Sequence, residues 1–472
     1  MNICEAIDDP ALFARYFRDP TTWKAWRACL AALFGLPMSR DEIVTFSKCT
    51  GRVQWPDKPS KEAWLVCGRR AGKSFNLALI AVFLACFKDW RGFLTPGERG
   101  NIVVIAADRK QARVIFGYIR SLITETPMLA DLIIRETGEE IDLSNKITIE
   151  VATCSYRTIR GRTIVAALCD EISFWLSEGS ANPDEEVLTA IRPAMATVPG
   201  SMLLCASSPY ARRGALWEAH QKWFGQENSP VLVWRAATLV MNPTVPQYVV
   251  DDAYERDASV AAAEYGAEFR TDVERLLTRE AVGACVNPGI FERPPLRNQS
   301  YVGFTDPSGG AQDAFTLAIA HFENKTAVLD LVRERQPPFS PEAVIEEYAG
   351  VLKKYRVTTV KGDRYAGEFP VEQFRKHGIN FEPAERSKSE LYGDLVAVIN
   401  SRGCDLLDNS RLIGQLIGLE RWTRTAGRDQ IDHAPGAHDD LANAVAGSLL
   451  EANKAPQSNF LRTIVYRETA PA

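Results

Sequence analysis

Two groups of residues in this chain have the types and spacing to act on phosphate. The first is Cys67-Gly68-Arg69-Arg70-Ala71-Gly72-Lys73-Ser74, which follows a short apolar run and opens a longer one. A loop that binds phosphate through its backbone N–H groups needs small residues that let it wrap the ligand. It also needs a lysine as a point charge on the β- and γ-oxygens, and a hydroxyl to hold Mg²⁺. Gly68, Gly72, Lys73 and Ser74 supply these parts, with Arg69 and Arg70 in the same loop, and Cys67 stands where the strict pattern has glycine. Later, the apolar run TIVAALCDE closes on Asp170 and Glu171. An aspartate there can hold Mg²⁺ through water, and the adjoining glutamate can orient or deprotonate the attacking water. The next run, SMLLCASSP, ends on Ser207 and Ser208, hydroxyls placed to sense a γ-phosphate. Arg157, Arg160 and Arg162 precede the acidic pair, and Gly161 lets the chain bring Arg160 close to a neighbouring site. An arginine so placed can stabilise charge on a transferring phosphoryl group in cis or from an adjacent subunit, with Arg69 and Arg70 as rivals for that role.

The second group is a set of separated acids. Asp306 ends a run in GFTDPSGG, Asp363 ends another in VKGDRYAG, and Asp439 and Asp440 open a helical pattern in HDDLANAVAG. Metal-dependent cleavage of a phosphodiester needs carboxylates on adjacent strands and no side-chain nucleophile. The glycines after these acids leave room for a nucleic-acid backbone, and Ala442, Ala444 and Ala446 let the helix pack close to a sheet. His438 beside the acids, His433 in the nearby loop and Lys388 in RSKSELYGDL are secondary candidates, and Asp313 and Asp432 are alternative acids.

The elements that position these residues follow from the apolar pattern. The segments 63–68, 101–107, 163–171, 201–209 and 231–238 are short β-rich runs alternating with helical stretches at 73–87 and 110–125. That alternation predicts a parallel sheet covered on both faces. Residues 1–60 read as helical and then loop-like, with aromatic and aliphatic residues at helical spacing over 22–35. Three prolines and little periodicity over 286–300 suit a linker, dividing the chain into domains at 1–285 and 301–472. After it, strands at 301–307, 315–323 and 326–334, a helix at 341–355 and a strand at 357–363 predict a mixed sheet. The tail after Ala455 is polar.

Composition narrows the classes. The 472 residues are 46% hydrophobic and 24% charged, which suits a two-domain globular chain rather than a disordered one. With 55 Lys+Arg against 60 Asp+Glu the net charge is −5, which excludes a uniformly basic nucleic-acid coat but not a local basic groove. The longest apolar run, 77–87, is too short to span a bilayer, and the acidic N-terminus lacks the basic region of a signal peptide. The ten cysteines form no CxxC pair and the five histidines do not fall at metal-ligand spacing, so a reduced, intracellular, soluble protein is expected.

GRRAGKS, then IRG before ALCDE, then CASSP, FTDPSGG, VKGD and HDDLANAVAG resemble, in that order, the large terminase subunit of tailed bacteriophages and prophages. The resemblance runs from about residue 45 to about residue 450, and SKSELYGDLVAVINSRGCDLLD is also similar to the family's nuclease half. It implies an α/β chain with an N-terminal ASCE-type P-loop ATPase domain on a parallel sheet. A C-terminal RNase H-like nuclease domain on a mixed sheet would follow. The ATPase drives double-stranded DNA into a procapsid, and the nuclease cuts concatemeric DNA. By motif, Lys73 and Ser74 bind phosphates and Mg²⁺, Asp170 supports Mg²⁺, and Glu171 is the catalytic glutamate. Ser207 and Ser208 lie in the coupling motif, Arg160 matches an arginine supplied in trans, and Asp306, Asp363 and Asp439 or Asp440 match the nuclease acids. The implied cofactors are ATP and Mg²⁺, with Mn²⁺ as an alternative in the nuclease. The implied partners are DNA, a portal protein and procapsid, and a small terminase subunit, with a pentamer on the procapsid and a monomer when free. The implied setting is the host bacterial cytoplasm. Two departures stand out: Trp26 is followed by Arg27 where the family often has Gln, and Asn443 occupies the third acidic place of the last helix. The rival readings are a helicase-like translocase whose second domain grips DNA without cutting, and a structural remnant without turnover. A grip needs lysines and arginines rather than three acids, and a remnant would not keep both GKS and DE.

Overall fold

The computed structural model describes residues 1–153, 161–175, 183–311, 313–363, 368–423, 429–435 and 437–454. The chain is α/β and divides into two units, Met1–Glu274 and Arg275–Ala472.

The first unit is built on an eight-stranded sheet of order β3-β4-β5-β2-β6-β7-β1-β8. Its strands are β1 (Glu62–Cys67), β2 (Gly100–Ala106), β3 (Ile133–Glu136), β4 (Glu140–Leu143), β5 (Ile147–Thr153), β6 (Thr163–Asp170), β7 (Met202–Ser207) and β8 (Val231–Ala236). The pairs β5–β2, β2–β6, β6–β7, β7–β1 and β1–β8 are parallel, and β3–β4 and β4–β5 are antiparallel. Because successive side chains of a strand point to opposite faces, each central strand feeds two cores. Ala63, Leu65 and Cys67 of β1 enter one core with Leu204 and Ala206 of β7, whereas Trp64 and Val66 enter the other with Leu203 and Cys205. The helix Lys73–Cys86 lies in the first core with Leu77 through Ala85 all buried, which is why it shows no polar face.

The second unit is built on a mixed six-stranded sheet of order β14-β13-β10-β11-β12-β15. Its strands are β10 (Tyr301–Asp306), β11 (Phe315–Glu323), β12 (Thr326–Arg335), β13 (Thr359–Gly362), β14 (Asn380–Pro383) and β15 (Cys404–Asp405); a short strand, β9 (Val273–Arg275), falls at the division of the units. The first three form an antiparallel meander, and β13 joins β10 in parallel. The helix Pro341–Lys354 packs Val344, Tyr348 and Leu352 against Phe315, Leu317 and Ile319. The helix Asp440–Lys454 lies against Phe304 of β10 so closely that a Cβ on Gly447 would sit 2.2 Å from the ring.

The division falls at 274/275 rather than within the expected linker. The prolines of 286–300 do mark irregular backbone, but that backbone is tied to the second unit. Arg293 N donates to Asp330 O, Asp408 N to Ile290 O, and Leu296 N to Tyr301 Oη, each at 2.8 Å. Among the described residues the cysteines are free, and no helix is long and apolar enough to cross a membrane.

Candidate active sites

In the first unit the residues converge at the C-terminal ends of three neighbouring parallel strands. Asp170 of β6 pairs with Ala206 of β7, and Ser207 of β7 pairs with Val66 of β1. The loop after β1, the acidic pair after β6 and the serines after β7 therefore meet along one edge.

The loop is shaped by backbone conformation. Gly72 caps the helix Lys73–Cys86 in the left-handed region at φ 90°, which only glycine adopts without penalty. Gly68 is a close approach: a Cβ there would lie 2.3 Å from Thr238 Oγ1 and 2.8 Å from Tyr265 O. The loop carbonyls are held from outside. Trp26 Nε1 donates to Ala71 O at 2.7 Å, Thr238 Oγ1 to Arg69 O at 2.7 Å, and Asn242 Nδ2 to Arg70 O at 2.8 Å. Trp26 is thus a buried brace under the loop.

Lys73 is almost fully buried, and its Nζ donates to Cys67 O and Gly68 O, both at 3.2 Å, and to Ser208 Oγ at 3.1 Å. It also pairs with Glu171 Oε1 at 3.1 Å. Only the carbonyl of Cys67 faces this chemistry, which explains how cysteine stands in a glycine position. Ser74 Oγ donates to Asp170 Oδ2 at 2.9 Å, and Gln111 Nε2 approaches the same oxygen at 3.3 Å. Asp170 is fully buried, and burial, then the Glu171 charge, push its carboxyl well above the usual carboxylate range. Its other oxygen, Oδ1, is buried with no hydrogen-bond partner among the described residues. A buried, unpartnered carboxylate oxygen beside a serine hydroxyl fits Mg²⁺ or one of its waters. Glu171 sits in the left-handed region at φ 49°, a strained place for a non-glycine residue. Its Oε2 accepts from Ser208 N at 3.0 Å and lies 3.1 Å from Ser207 Oγ.

Arg160 and Arg157 lie outside the described residues. Arg162 pairs with Glu150, and Arg69 with Glu264 at 3.2 Å.

In the second unit, Thr305 of β10 pairs with Gly362 of β13, so Asp306 and Asp363 follow at the ends of adjacent parallel strands. Gly362 is required there, since a Cβ would lie 2.7 Å from the Phe381 ring and 2.8 Å from Thr305 O. Asp306 is pushed up to about 7 by burial, with the charges of Asp440 and Asp363 adding to the shift and the Asn443 hydrogen bond opposing it. That bond runs from Asn443 Nδ2 to Asp306 Oδ2 at 2.8 Å. Burial, then the Asp439 charge, raise Asp440 as well. Among the described residues, Asp440 Oδ2 and Asn443 Oδ1 are both buried with no hydrogen-bond partner, a donor set that fits a divalent cation.

The structure separates Asp439 from Asp440. The Asp439 side chain is buried, and Lys388 Nζ reaches its Oδ1 at 2.7 Å while Tyr392 Oη reaches its Oδ2 at 2.7 Å. Asp432, His433 and Asp439 bring ligand atoms within 4.8 Å of one another, although the histidine spacing in sequence gives no sign of it. His438 is exposed and lies 3.9 Å from Asp313. Tyr392 was missing from the sequence reading as part of the site, and Asn443 entered it only as the residue in the third acidic place of the last helix. Asn443 follows Asp440 by three residues and Asp439 by four, so helical spacing alone does not tell the two acids apart; their partners do.

No protein-family model matches the chain, and no curated protein matches it. Among solved structures, the chain is similar to the large terminase of bacteriophage HK97, with 15% identity, 89% of this chain and 100% of that chain covered, and a TM-score of 0.37. It is also similar to the large terminase of a thermophilic bacteriophage in complex with ADP, with 13% identity, 82% and 92% covered, and a TM-score of 0.35. A third is the large terminase nuclease of the thermophilic phage G20c with bound magnesium, with 13% identity, 36% and 95% covered, and a TM-score of 0.32.

Proposed function

We propose that this chain is a DNA-packaging terminase large subunit: an ATPase that translocates double-stranded DNA, joined to a metal-dependent endonuclease that cuts it. The observation that carries the reading is the presence, at two separate strand-end sites, of buried acid oxygens without partners among the described residues, Asp170 Oδ1 and Asp440 Oδ2. Each lies beside the residues that its chemistry requires, in the motif order of the family the sequence resembles.

In the first site Lys73 binds the β- and γ-phosphates and neutralises their charge. An incoming phosphate competes with Glu171 for the Lys73 ammonium, and the released carboxylate is then free to orient and deprotonate water. Ser207 and Ser208, on Glu171 Oε2, register that release and pass it to β7. Arg160 completes the site from a neighbouring subunit. In the second site Asp306, Asp363 and Asp440 hold the cleavage centre, with Asn443 fixing Asp306. Divalent ions, Mg²⁺ with ATP and Mg²⁺ or Mn²⁺ at the nest, would be held by Ser74 and Asp170 and by these acids, supplying Lewis acidity toward phosphoryl oxygens. With the function come its partners: DNA, a portal protein on the procapsid, a small terminase subunit, and further copies of this chain in a ring, in the host bacterial cytoplasm.

The test is one tube holding the purified chain, plasmid, ATP and Mg²⁺ or Mn²⁺, with ATP hydrolysis and DNA cleavage both followed. Glu171→Ala should lower hydrolysis by about 10²–10⁴-fold and leave Mn²⁺-dependent cleavage of the plasmid, and Asp306→Asn should lose cleavage and keep hydrolysis. Undiminished cleavage by Asp306→Asn would remove these acids from the cleavage site, and no cleavage by the unaltered chain would leave a translocase whose second domain only grips DNA.

A further inference from the structure

The second unit holds a lysine in a setting that a surface salt bridge does not need. Lys388 opens the helix Lys388–Asn400, which Ser387 caps. Its Nζ lies 2.7 Å from Asp439 Oδ1 and 3.4 Å from Asp432 Oδ1. Asp439 is the residue before Asp440, one of the acids of the nest. The Asp439 side chain is 3% exposed and that of Lys388 is 30% exposed, so the acid is sealed inside while the lysine side chain reaches solvent over part of its length. Tyr392, one helical turn after Lys388, fills the other oxygen of Asp439. Burial, then the Asp439 charge, hold its phenol well above the ordinary range, so it stays a neutral donor.

We propose that Lys388 is the phosphate-positioning cation of the carboxylate nest, and that Asp439 serves to hold this lysine rather than to bind a metal ion. The inference rests on the nuclease reading above. A lysine ammonium has three N–H donors. Asp439 takes one of them and Asp432 lies within ion-pair range at 3.4 Å, which leaves a donor for a phosphate oxygen of the DNA strand. The Asp432, His433 and Asp439 cluster has the spacing of a cation site, and the ammonium lies against both of its acids. A divalent ion approaching Asp439 would meet that positive charge at hydrogen-bonding distance. Asp440 has no ammonium at hydrogen-bonding distance among the described residues: its Oδ2 is buried without a partner, and its charge acts on Asp306. One residue of the acidic pair thus belongs to the metal and the other to the lysine. Burial disfavours the Lys388 charge, but the attraction of Asp439, Asp432 and Asp306 outweighs it, so the group stays cationic.

The test uses the full chain. Mn²⁺ binding is measured by calorimetric titration without DNA, and plasmid cleavage is measured across DNA and salt concentrations. Lys388→Met should bind Mn²⁺ at least as tightly as the unaltered chain, because a positive charge beside the nest is gone. So should the double variant Asp439→Asn/Lys388→Met, which leaves no unpaired buried charge and guards against misfolding. Cleavage by both should fall about 10²-fold, the usual loss when one fixed electrostatic contact to the reacting group is removed. The dependence of DNA affinity on salt should weaken by about one unit of slope, as expected for one lost phosphate contact. Lys388→Arg should recover part of the cleavage. Loss of Mn²⁺ affinity in Asp439→Asn equal to that in Asp440→Asn would make Asp439 a metal ligand and overturn the proposal. Unaltered cleavage and salt slope in Lys388→Met would also overturn it, leaving only a structural ion pair. If Asp306→Asn binds Mn²⁺ as well as the unaltered chain, the nuclease reading itself falls, and this inference with it.

Discussion

Asp306→Asn should stabilise the chain in EDTA at pH 8, although it removes a central residue of the proposed cleavage site. Burial first, then the charges of Asp440 and Asp363, move Asp306 from 3.8 to about 7. Between those values the folded state keeps a proton on Asp306 that the unfolded chain has released. Unfolding therefore releases a proton, and stability falls as pH rises through that window. The contribution is full below the unfolded value and gone above about 7. The shift is about three pH units, each worth about 1.36 kcal/mol, so the ceiling is about 4 kcal/mol, and solvent reaching the carboxylate reduces it. Asparagine keeps the shape and can still accept from Asn443 Nδ2, but it never ionises. The two proteins should thus unfold alike near pH 4, and the variant should gain on the unaltered chain as pH rises to 8. For a unit of this size each kcal/mol moves the midpoint by roughly 2–4 °C. Calorimetry or urea titration of both chains across pH, with EDTA, reads the difference directly. Saturating Mn²⁺ should reverse the order, because only the unaltered chain gains binding energy from the ion. A variant less stable than the unaltered chain at pH 8 in EDTA would refute the argument that the nest holds Asp306 against its own ionisation.

Three further outcomes rest on the geometry of the first site, and a fourth on the proposed role of Arg160. Glu171→Ala should lower ATP turnover by about 10²–10⁴-fold while still binding ATP, and Lys73→Ala should bind it weakly; a fluorescent nucleotide titration beside a phosphate-release assay separates them. Gly68→Ala would drive a methyl into Thr238 Oγ1, and at an overpacking cost of about 1–3 kcal/mol it should lower the urea midpoint and the affinity for nucleotide together. Trp26→Phe leaves the Ala71 carbonyl without its 2.7 Å donor, so about 1–3 kcal/mol of stability should be lost, and KM for ATP should rise more than kcat falls. Mixing Arg160→Ala with Glu171→Ala chains should restore some ATPase activity if Arg160 acts across subunits, and a mixture as inactive as its components would exclude that role.

The elements that carry the chemistry were legible because each is a continuous apolar run ending in a polar residue. Strands β1, β2, β6, β7 and β8, and β10 to β13, appear where those runs lie. The sequence reading passed over β5, ITIEVAT, although it alternates as a strand should, and three other strands it passed over are of another kind. β3, β4 and β14 read IIRE, EIDL and NFEP, too short and polar to stand out from loop. They extend sheets whose registers are set elsewhere, and tertiary pairing decides them. In the site, the loop and the strand-end acids could be read because local chemistry names them. The partition of Asp439 and Asp440 could not, because it depends on Lys388 and Tyr392 from a different helix.

The two sites share a device and use it differently. In each, an ammonium rests on a carboxylate close to an acid that burial holds toward its neutral form: Lys73 on Glu171 beside Asp170, and Lys388 on Asp439 beside Asp306. Among the described residues Glu171 is held otherwise only by a backbone N–H and the Ser207 hydroxyl, and its backbone is strained, so a phosphate that takes Lys73 leaves it ready to act on water. Asp439 has Tyr392 as a second, buried donor and cannot be released in the same way. On the function proposed above, the first pairing would exchange on each turnover of an ATPase cycle. The second would stay, which suits a centre that holds one phosphate of a long polymer in place while the bond is cut.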